Sequence, residues 1–327
     1  MADRYGPRGV FAFMIPLQNS NMQSEYEAMR PEGVNNQIYR FDLSKADHAP
    51  QAMLKALPGA KGCWPDLVIC GNSLEMRNWS VEQQARYRKD VDAAVPDVPV
   101  ITATDACEAA LRTLGAKRIA VLSPMHETYS RSVQGYYRAI GFDVPYATWL
   151  EVPVPEEIIN VPLEAVYEAF ARMDHEDVDT FLHVGGALGI THMIDELEEK
   201  LGRPVISSNA ATYWYAMRKH GITDPLSRGG RITRMALPEE FQSLQADVLR
   251  KPPLHRLRPT PKDGDALGMV HGALIAPGLV QQAREAEAQR LGRRLPVIAS
   301  HAELRPHLPK VVDLDPGERR AEERFER

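Results

Sequence analysis

Residues 66–75, DLVICGNSLE, and residues 181–190, FLHVGGALGI, share one pattern. Each stretch is an apolar run that ends in a small turn containing glycine, and the first turn also carries asparagine and serine. Short apolar runs bounded by turn residues are typical of buried strands. The two stretches therefore predict two buried strands whose carboxyl ends open into similar turns.

Strand-like runs alternate with helical patterns from residue 9 to about residue 220. That alternation is the signature of an α/β protein with a mainly parallel sheet. The runs form two sets of four predicted strands: Val10–Ile15, Gln37–Leu43, Leu67–Cys70 and Val98–Thr102 in the first, and Arg118–Ser123, Tyr146–Val152, Thr180–Val184 and Pro204–Ser207 in the second.

Two of the predicted helices have clear ends. They cover Thr104–Leu114 and Ile190–Leu201, and the second repeats apolar residues at the spacing of one buried helix face. Gly115 and Gly202 follow directly and fit the left-handed residue that ends many helices. The segments TLGAKRIAVLS and KLGRPVISS then lead from these helix ends into strands.

The two sets of strands share one pattern, which indicates an internal duplication. We expect a first α/β lobe over residues 1–115 and a second over residues 116–227, each with a parallel four-stranded sheet. Ligands of open α/β sheets bind beyond the carboxyl ends of the strands. The two glycine-containing turns should therefore flank one cleft between the lobes.

Residues 228–327 form a C-terminal extension outside the repeated unit. The extension contains KPPLHRLRPTPKDGD, which is rich in proline and charge, and it ends in DPGERRAEERFER. Such a charged tail is typical of solvated or disordered chain. The extension could pack on the lobes or on a second subunit of a homo-oligomer.

The composition argues against several classes of protein. The chain has 327 residues, 44% of them hydrophobic and 25% charged, with a net charge of -5 and no block of Lys and Arg that would bind nucleic acid. The N-terminus lacks a signal-peptide pattern, and no apolar run approaches the roughly 18–20 residues of a membrane span. We expect a cytoplasmic protein without nucleic-acid or membrane partners.

The three cysteines, Cys63, Cys70 and Cys107, have no CxxC spacing and no neighbouring histidines. This spacing argues against a structural zinc site or a disulfide framework. Free cysteines are most often small, buried apolar residues. We expect neither a metal nor a cofactor.

The turn Gly71-Asn72-Ser73 is a candidate anion site. Successive backbone N–H groups at a strand end, with a glycine that lets a ligand approach, suit a carboxylate, and the Asn and Ser side chains add donors. Alternatively, Ser73 simply caps the next helix. Gly185-Gly186 is a weaker signal alone, but its equivalence to the first turn makes it the second half of the site.

Three more polar residues are candidates near strand ends. Asn19 could bind a substrate carboxylate, or it could cap the helix that starts near Met22. His126 and His183 are candidates for proton transfer, which needs a group with a suitable pKa. A single histidine in a strand is more often structural.

The segments CGNSLEMRNWS and FLHVGGALGITHMIDELEEKLGRPVISSNAATYWYAMR resemble the aspartate/glutamate racemase superfamily. Within it, they are most similar to the arylmalonate decarboxylases and the maleate cis-trans isomerases. The resemblance covers roughly residues 9–222. It implies two pseudo-symmetric Rossmann-like lobes with the active site between them, which agrees with the internal repeat.

The resemblance assigns roles to individual positions. Gly71-Asn72-Ser73-Leu74 resembles the Gly-Thr-Ser-Leu turn of the decarboxylases, and Asn19 matches the asparagine of the isomerases' Pro-Ser-Ser-Asn motif. The catalytic cysteine expected in the second turn is replaced by Val184, which has no proton to give. A tyrosine expected after the strand IAVLSP is replaced by Met125, so that Tyr129 lies one turn further along.

The position of a first cysteine depends on the alignment. Its slot is Gly71 when the chain is aligned on the decarboxylases and Asn72 when it is counted against the isomerases, and neither register selects Cys70. Cys70 and Asn72 would share a face if the strand continued, which keeps Cys70 a candidate. A reactive thiol would also need a lowered pKa.

These positions leave three functions open. The first is a cofactor-independent lyase that decarboxylates a malonate-type diacid through an enediolate-like intermediate, stabilised by the donors of the cleft. The second is a maleate-like cis-trans isomerase in which Cys70 adds to the double bond. The third is a non-catalytic protein that binds a small carboxylate or dicarboxylate and has lost the family cysteines.

Overall fold

The computed structural model of the protein describes residues 4–42 and 49–242. The expected charged tail and most of the C-terminal extension therefore lie outside the described residues. Eight strands are present: β1 (Gly9–Pro16), β2 (Val34–Phe41), β3 (Leu67–Cys70), β4 (Val100–Thr102), β5 (Arg118–Ser123), β6 (Asp143–Trp149), β7 (Thr180–His183) and β8 (Val205–Ser207).

Helices connect the strands of each lobe. They are α1 (Asn21–Met29), α2 (Ala49–Ala56), α3 (Val81–Ala94), α4 (Ala103–Thr113), α5 (Glu127–Ala139), α6 (Leu163–Arg172), α7 (Ile194–Leu201) and α8 (Ser208–Lys219). Short 3-10 helices cover Leu57–Cys63, Leu74–Met76, Pro155–Asn160 and Arg231–Arg234.

The strands form two four-stranded sheets with the same topology. The orders are β2-β1-β3-β4 and β6-β5-β7-β8, and every neighbouring pair is parallel. All eight residues of the central strand β1 are buried, as expected for a strand covered on both faces. The predicted α/β class with two pseudo-symmetric four-stranded lobes is confirmed.

Three elements differ from the predictions by three or more residues at one end or both. β2 begins at Val34 rather than Gln37, and β6 spans Asp143–Trp149 rather than Tyr146–Val152. The helix expected from Ile190 begins only at Ile194 as α7. The physical reason in that last case is Thr191, whose backbone N–H donates to the Glu25 carboxylate instead of entering a helix. Ile190 is nevertheless fully buried, which explains its helix-like spacing in the sequence.

The predicted left-handed helix ends are confirmed. Gly115 has a φ of 70° and Gly202 a φ of 66°. In an L-residue with a Cβ, this conformation brings the Cβ too close to the following carbonyl oxygen. Both positions therefore favour glycine.

The two lobes share one hydrophobic core. In the first sheet, Leu67 and Ile69 of β3 belong to this shared core, whereas Val68 and Cys70 belong to a smaller core on the other face. The rings of Phe13, Tyr26 and Tyr213 stack on one another at the lobe boundary, with centroids 4.6 to 5.7 Å apart. All twelve residues of α8 are buried, and this helix packs against α4 of the first lobe.

The described part of the chain after residue 227 packs on α8. The Arg218 guanidinium donates to the backbone carbonyls of Ile222, Asp224, Thr233 and Met235. The Trp214 indole N–H also donates to the Met235 carbonyl. Residues 228–235 are thus tied to the second lobe by buried and partly buried hydrogen bonds.

No helix in the parts of the chain that the structure describes is long and apolar enough to cross a membrane. Those same residues also contain no cluster of three or more His, Cys, Asp or Glu side chains that could hold a metal ion.

Replacing Gly202 by alanine should destabilise the fold by about 1 kcal/mol, because alanine is strained in the left-handed region although space for a Cβ is open. Gly135 is the matched control. It lies inside α5, is exposed and also has open space around it, so Gly135→Ala should stabilise by up to ~1 kcal/mol. Urea unfolding of both variants checks the pair, and equal shifts for the two would contradict the explanation.

Candidate active site

A small cavity lies where the turns after β3 and β7 meet. Its volume is about 100 Å³. Its walls come from both lobes and combine amides, a hydroxyl, a phenol and one cation with methionine, proline and isoleucine side chains. The lining residues are Pro16, Gln18, Asn19, Met22, Gly71, Asn72, Ser73, Met76, Arg77, Pro124, Met125, Tyr129, Pro155, Ile158, Gly185, Gly186 and Ala187.

The two strand-end turns touch across the cavity. The backbone N–H of Gly185 donates to the Ser73 hydroxyl oxygen over 3.2 Å. Ser73 makes no side-chain cap to the short helix that follows it, and the N–H of Leu74 is instead satisfied by the Thr104 hydroxyl at 3.2 Å. The Ser73 side chain therefore belongs to the cavity rather than to a helix cap.

The first turn presents an unpartnered amide. Both polar atoms of the Asn72 side chain are buried, and neither has a hydrogen-bond partner among the described residues. Buried polar groups are nearly always paired in folded proteins, with protein, water or ligand. Gly71 packs closely against α1, since a Cβ there would lie 2.8 Å from the Met22 sulfur and 3.0 Å from the Tyr26 hydroxyl oxygen.

The second turn has its carbonyls occupied and its donors available. The carbonyls of Gly185, Gly186 and Ala187 accept from Leu188 N–H at 3.1 Å, from Asn209 Nδ2 at 2.8 Å and from Asn21 Nδ2 at 2.8 Å. The N–H groups of Gly186 and Ala187 donate to no acceptor within residues 4–42 and 49–242. Gly185 has a φ of 97°, which explains glycine at this position.

Asn19 caps α1, which is one of the two roles considered for it, and its binding of a carboxylate stays a prediction. Its Oδ1 accepts from the backbone N–H groups of Asn21 and Met22, at 3.1 and 2.9 Å, and so caps α1. The residue also lines the cavity. Because the oxygen is engaged, the amide NH2 is the part of Asn19 that suits an anionic ligand.

The cavity favours an anion. Arg77 is the one cation among the described lining residues, and no Asp or Glu lies among them. A charge interaction is stronger in a small apolar cavity than in water, because the surroundings screen it less.

Cys70 lies away from the cavity. It ends β3, and strand alternation places its side chain on the same face as Val68, in the first-lobe core with Met14. The strand stops there, so Asn72 does not continue the alternation. Burial also raises the pKa of the Cys70 thiol to about 12, which keeps it protonated at neutral pH.

The two candidate histidines do not line the cavity either. His183 is fully buried in β7, and burial alone lowers its pKa to about 3, so its ring is neutral. His126 is exposed and caps α5, since its Nδ1 accepts from the Thr128 N–H at 3.2 Å. Their catalytic roles stay predictions from the sequence.

The two positions at which an expected catalytic residue is replaced, Val184 and Met125, differ in whether they line the cavity. Val184 is completely buried in the shared core and does not line the cavity. Met125 and Tyr129 both line it. Tyr129 therefore brings a phenol to the site from the first turn of α5.

Sequence reasoning missed a buried carboxylate that joins the lobes beside the second turn. Glu25 of α1 accepts from the Thr191 N–H and hydroxyl at 2.6 and 2.7 Å and from Asn209 Nδ2 at 2.6 Å. Burial raises the pKa of Glu25, and the bonds from Asn209 and Thr191 oppose that shift. The residues are far apart in sequence, and no local motif announces them.

A second missed carboxylate lies just after the first turn. Glu75 is completely buried and accepts a hydrogen bond from the Thr104 hydroxyl. Burial raises its pKa from 4.5 to about 7, and nearby Asp105 adds to the rise. Glu75 thus holds its proton in the folded protein at mildly acidic pH.

The raised pKa of Glu75 predicts a pH-dependent stability. Its contribution is fully present below about pH 4.5 and is lost as the pH rises towards 7, because the folded protein then resists losing a proton that the unfolded chain releases. Glu75→Gln, which cannot titrate, should flatten this part of the stability profile. Urea unfolding between pH 4.5 and 8 measures it, and identical profiles for both proteins would contradict the assignment.

The sequence of the chain is similar to those of known proteins. Residues 67–233 match the sequence model of the family described as arylmalonate decarboxylase. The chain is 26% identical over 238 residues to the maleate isomerase of Pseudomonas putida, a match that covers 66% of this chain and 93% of that one. It is 24% identical over 157 residues to the maleate isomerase of Alcaligenes faecalis, covering 48% of this chain and 62% of the relative.

The fold is also similar to solved structures. The maleate isomerase Iso from Pseudomonas putida S16 superposes with a TM-score of 0.61 at 21% identity, over 69% of this chain and 98% of the other. Unliganded arylmalonate decarboxylase superposes with a TM-score of 0.59 at 18% identity, over 68% and 97% of the two chains. At these identities the likeness concerns the two-lobed fold.

Proposed function

Because the chain belongs to the arylmalonate decarboxylase family, we propose that it is a cofactor-independent enzyme that decarboxylates a small malonate-type diacid through an enediolate-like intermediate. The observation that carries this proposal is the pair of strand-end turns, which bring unpartnered donors to the wall of one small cavity. These donors are the Asn72 side chain and the N–H groups of Gly186 and Ala187.

Hydrogen-bond donors from two sides suit a group that carries negative charge on two oxygens. A carboxylate has this shape, and so does the enediolate that forms when a neighbouring carboxylate leaves as carbon dioxide. Donors fixed in place before the reaction stabilise developing charge without reorganising. Arg77 adds a positive charge that favours binding of the dianionic substrate.

The apolar walls support loss of a carboxylate. Met22, Met76, Met125 and Ile158 line the cavity and replace water around the ligand. A carboxylate that faces such a wall is poorly solvated, whereas carbon dioxide is neutral. The poor solvation of the carboxylate raises the free energy of the bound substrate, and this penalty decreases in the transition state as the carboxylate becomes neutral carbon dioxide.

The reaction also needs a proton donor. The bond between the α-carbon and one carboxylate breaks, carbon dioxide leaves, and the electron pair passes into the enediolate. Tyr129 and Ser73 are the hydroxyl-bearing side chains among the described lining residues, and Ser73 already accepts from Gly185. We assign proton donation to the Tyr129 hydroxyl, since a phenol is a stronger acid than an alcohol. The electron pair of the enediolate forms a C–H bond with this proton at the α-carbon, and water then protonates the phenolate and leaves as hydroxide.

Isomerisation of a maleate-like diacid is the second candidate. The names of the relatives favour it, and so does Asn19, which lines the cavity. This reaction needs a nucleophile that adds to the double bond, and none of the three cysteines lines the cavity. Binding of a dicarboxylate without chemistry is the remaining alternative.

A substrate panel separates these functions. The protein should release carbon dioxide from methylmalonate or phenylmalonate and leave maleate unchanged, as followed by NMR of the products. Formation of fumarate from maleate would show that the protein is an isomerase and would contradict the decarboxylase proposal. Thermal stabilisation by the diacids without any product would support a binding protein instead.

Two variants test the assigned proton donor. Tyr129→Phe should lower turnover by about 100-fold or more, because it removes the hydroxyl and keeps the ring in place. Cys70→Ala is the control, and it should leave turnover unchanged because the thiol lies in the first-lobe core. Loss of activity in the Cys70 variant with a folded protein would return the thiol to the mechanism.

A further inference from the structure

A chain of buried hydrogen bonds that begins in the first lobe fixes the second strand-end turn, Gly185-Gly186-Ala187. Glu25 accepts from Thr191 and from Asn209, both of the second lobe, and all three residues are buried. The same Asn209 Nδ2 that donates to Glu25 at 2.6 Å also donates to the Gly186 carbonyl at 2.8 Å. The carboxylate therefore fixes the amide that holds the turn.

Packing leaves Asn209 and Gly186 little freedom. A Cβ on Gly186 would lie 2.3 Å from Asn209 Oδ1 and 2.4 Å from the Met22 methyl group. Asn209 Oδ1 itself has no partner among the described residues. The Asn209 amide is thus oriented by its donor side alone, through Glu25 and the Gly186 carbonyl.

The geometry of the peptide bond carries this orientation to the cavity. The C=O and N–H of a trans peptide point in opposite directions, and the described chain has no cis peptide. Because the Gly186 carbonyl points towards Asn209, the N–H of Ala187 in the same peptide must point away from Asn209. A flip of this peptide would turn a carbonyl oxygen towards a carboxylate ligand and repel it.

We infer that Glu25 is a positioning residue that, through Asn209, holds the Gly186–Ala187 peptide with its N–H towards the carboxylate of the ligand. Gly186, which precedes this peptide, makes such a hold necessary, because glycine allows peptide rotations that other residues resist. This inference rests on the proposed function in one respect, namely that a carboxylate binds at the second turn.

Glu25→Gln is the decisive variant. It preserves shape but introduces an NH2 group, and in either orientation of the new amide a donor faces a donor, at Asn209 or at Thr191. Relief comes when Asn209 turns its oxygen towards the new NH2 group, and the Asn209 NH2 then leaves the Gly186 carbonyl. Malonate, titrated into the full chain by calorimetry, should bind at least about 10-fold more weakly.

Two controls separate positioning from simple support between the lobes. Tyr213→Phe removes another hydrogen bond between the lobes, from the Tyr213 hydroxyl to Asn36 Oδ1 at 3.2 Å, with no contact to the turn. It should lower the melting temperature and leave malonate affinity within twofold. The double variant Glu25→Gln with Asn209→Asp pairs residues 25 and 209 again but places an oxygen instead of an NH2 against the Gly186 carbonyl, so affinity should stay low.

The amide NMR signals of Gly186 and Ala187 give a readout without ligand. They should shift in the Glu25→Gln variant and not in Tyr213→Phe. If the wild-type protein binds no diacid but these shifts occur, the positioning role stands and the proposed function fails. A folded Glu25→Gln protein with unchanged malonate affinity and unchanged signals would overturn the inference.

Should Glu25→Gln fail to fold, Thr191→Val takes its place. It removes one of the three donors to Glu25 and keeps the side-chain shape. Affinity should fall in the same direction by a smaller factor, and an unchanged affinity together with unchanged Gly186 and Ala187 signals would count against Glu25 as a positioning residue.

Discussion

A parallel sheet must be covered on both faces, and in this protein each lobe supplies part of the cover for the other. β1 is buried along its whole length, and Tyr213 of the second lobe stacks on Phe13 and Tyr26 of the first. α4 and α8 pack against each other across the same boundary. The carboxyl ends of β3 and β7 therefore meet at a fixed distance, and the cavity is a product of this packing.

The sequence carried the information for the strands because burial on both faces leaves continuous apolar runs. The turns could also be predicted, since Gly71-Asn72-Ser73 and Gly185-Gly186 end the apolar runs with small or polar residues that are typical of turns. The orientation of Cys70 follows from alternation only once the end of β3 is known. A strand one or two residues longer would have read equally well in the sequence.

What the sequence could not reveal are the contacts between distant residues. Glu25 pairs with Thr191 and Asn209 across 166 and 184 positions, and neither end of these bonds forms a local motif. Tyr129 and Arg77 enter the cavity because of where α5 and the 3-10 helix of residues 74–76 are placed by packing. The chemistry of the site is thus set by tertiary contacts laid over a predictable frame of strands and turns.

The complete burial of α8 has a consequence for how the chain is made. The helix spans residues 208–219, so the aromatic surface of the first lobe has no cover until nearly all of the described chain has left the ribosome. During that interval Phe13 and Tyr26 lie open to other nascent chains or to chaperones, which recognise exposed apolar surface. A first lobe made without residues 208–219 is therefore expected to aggregate more readily than a chain that includes them.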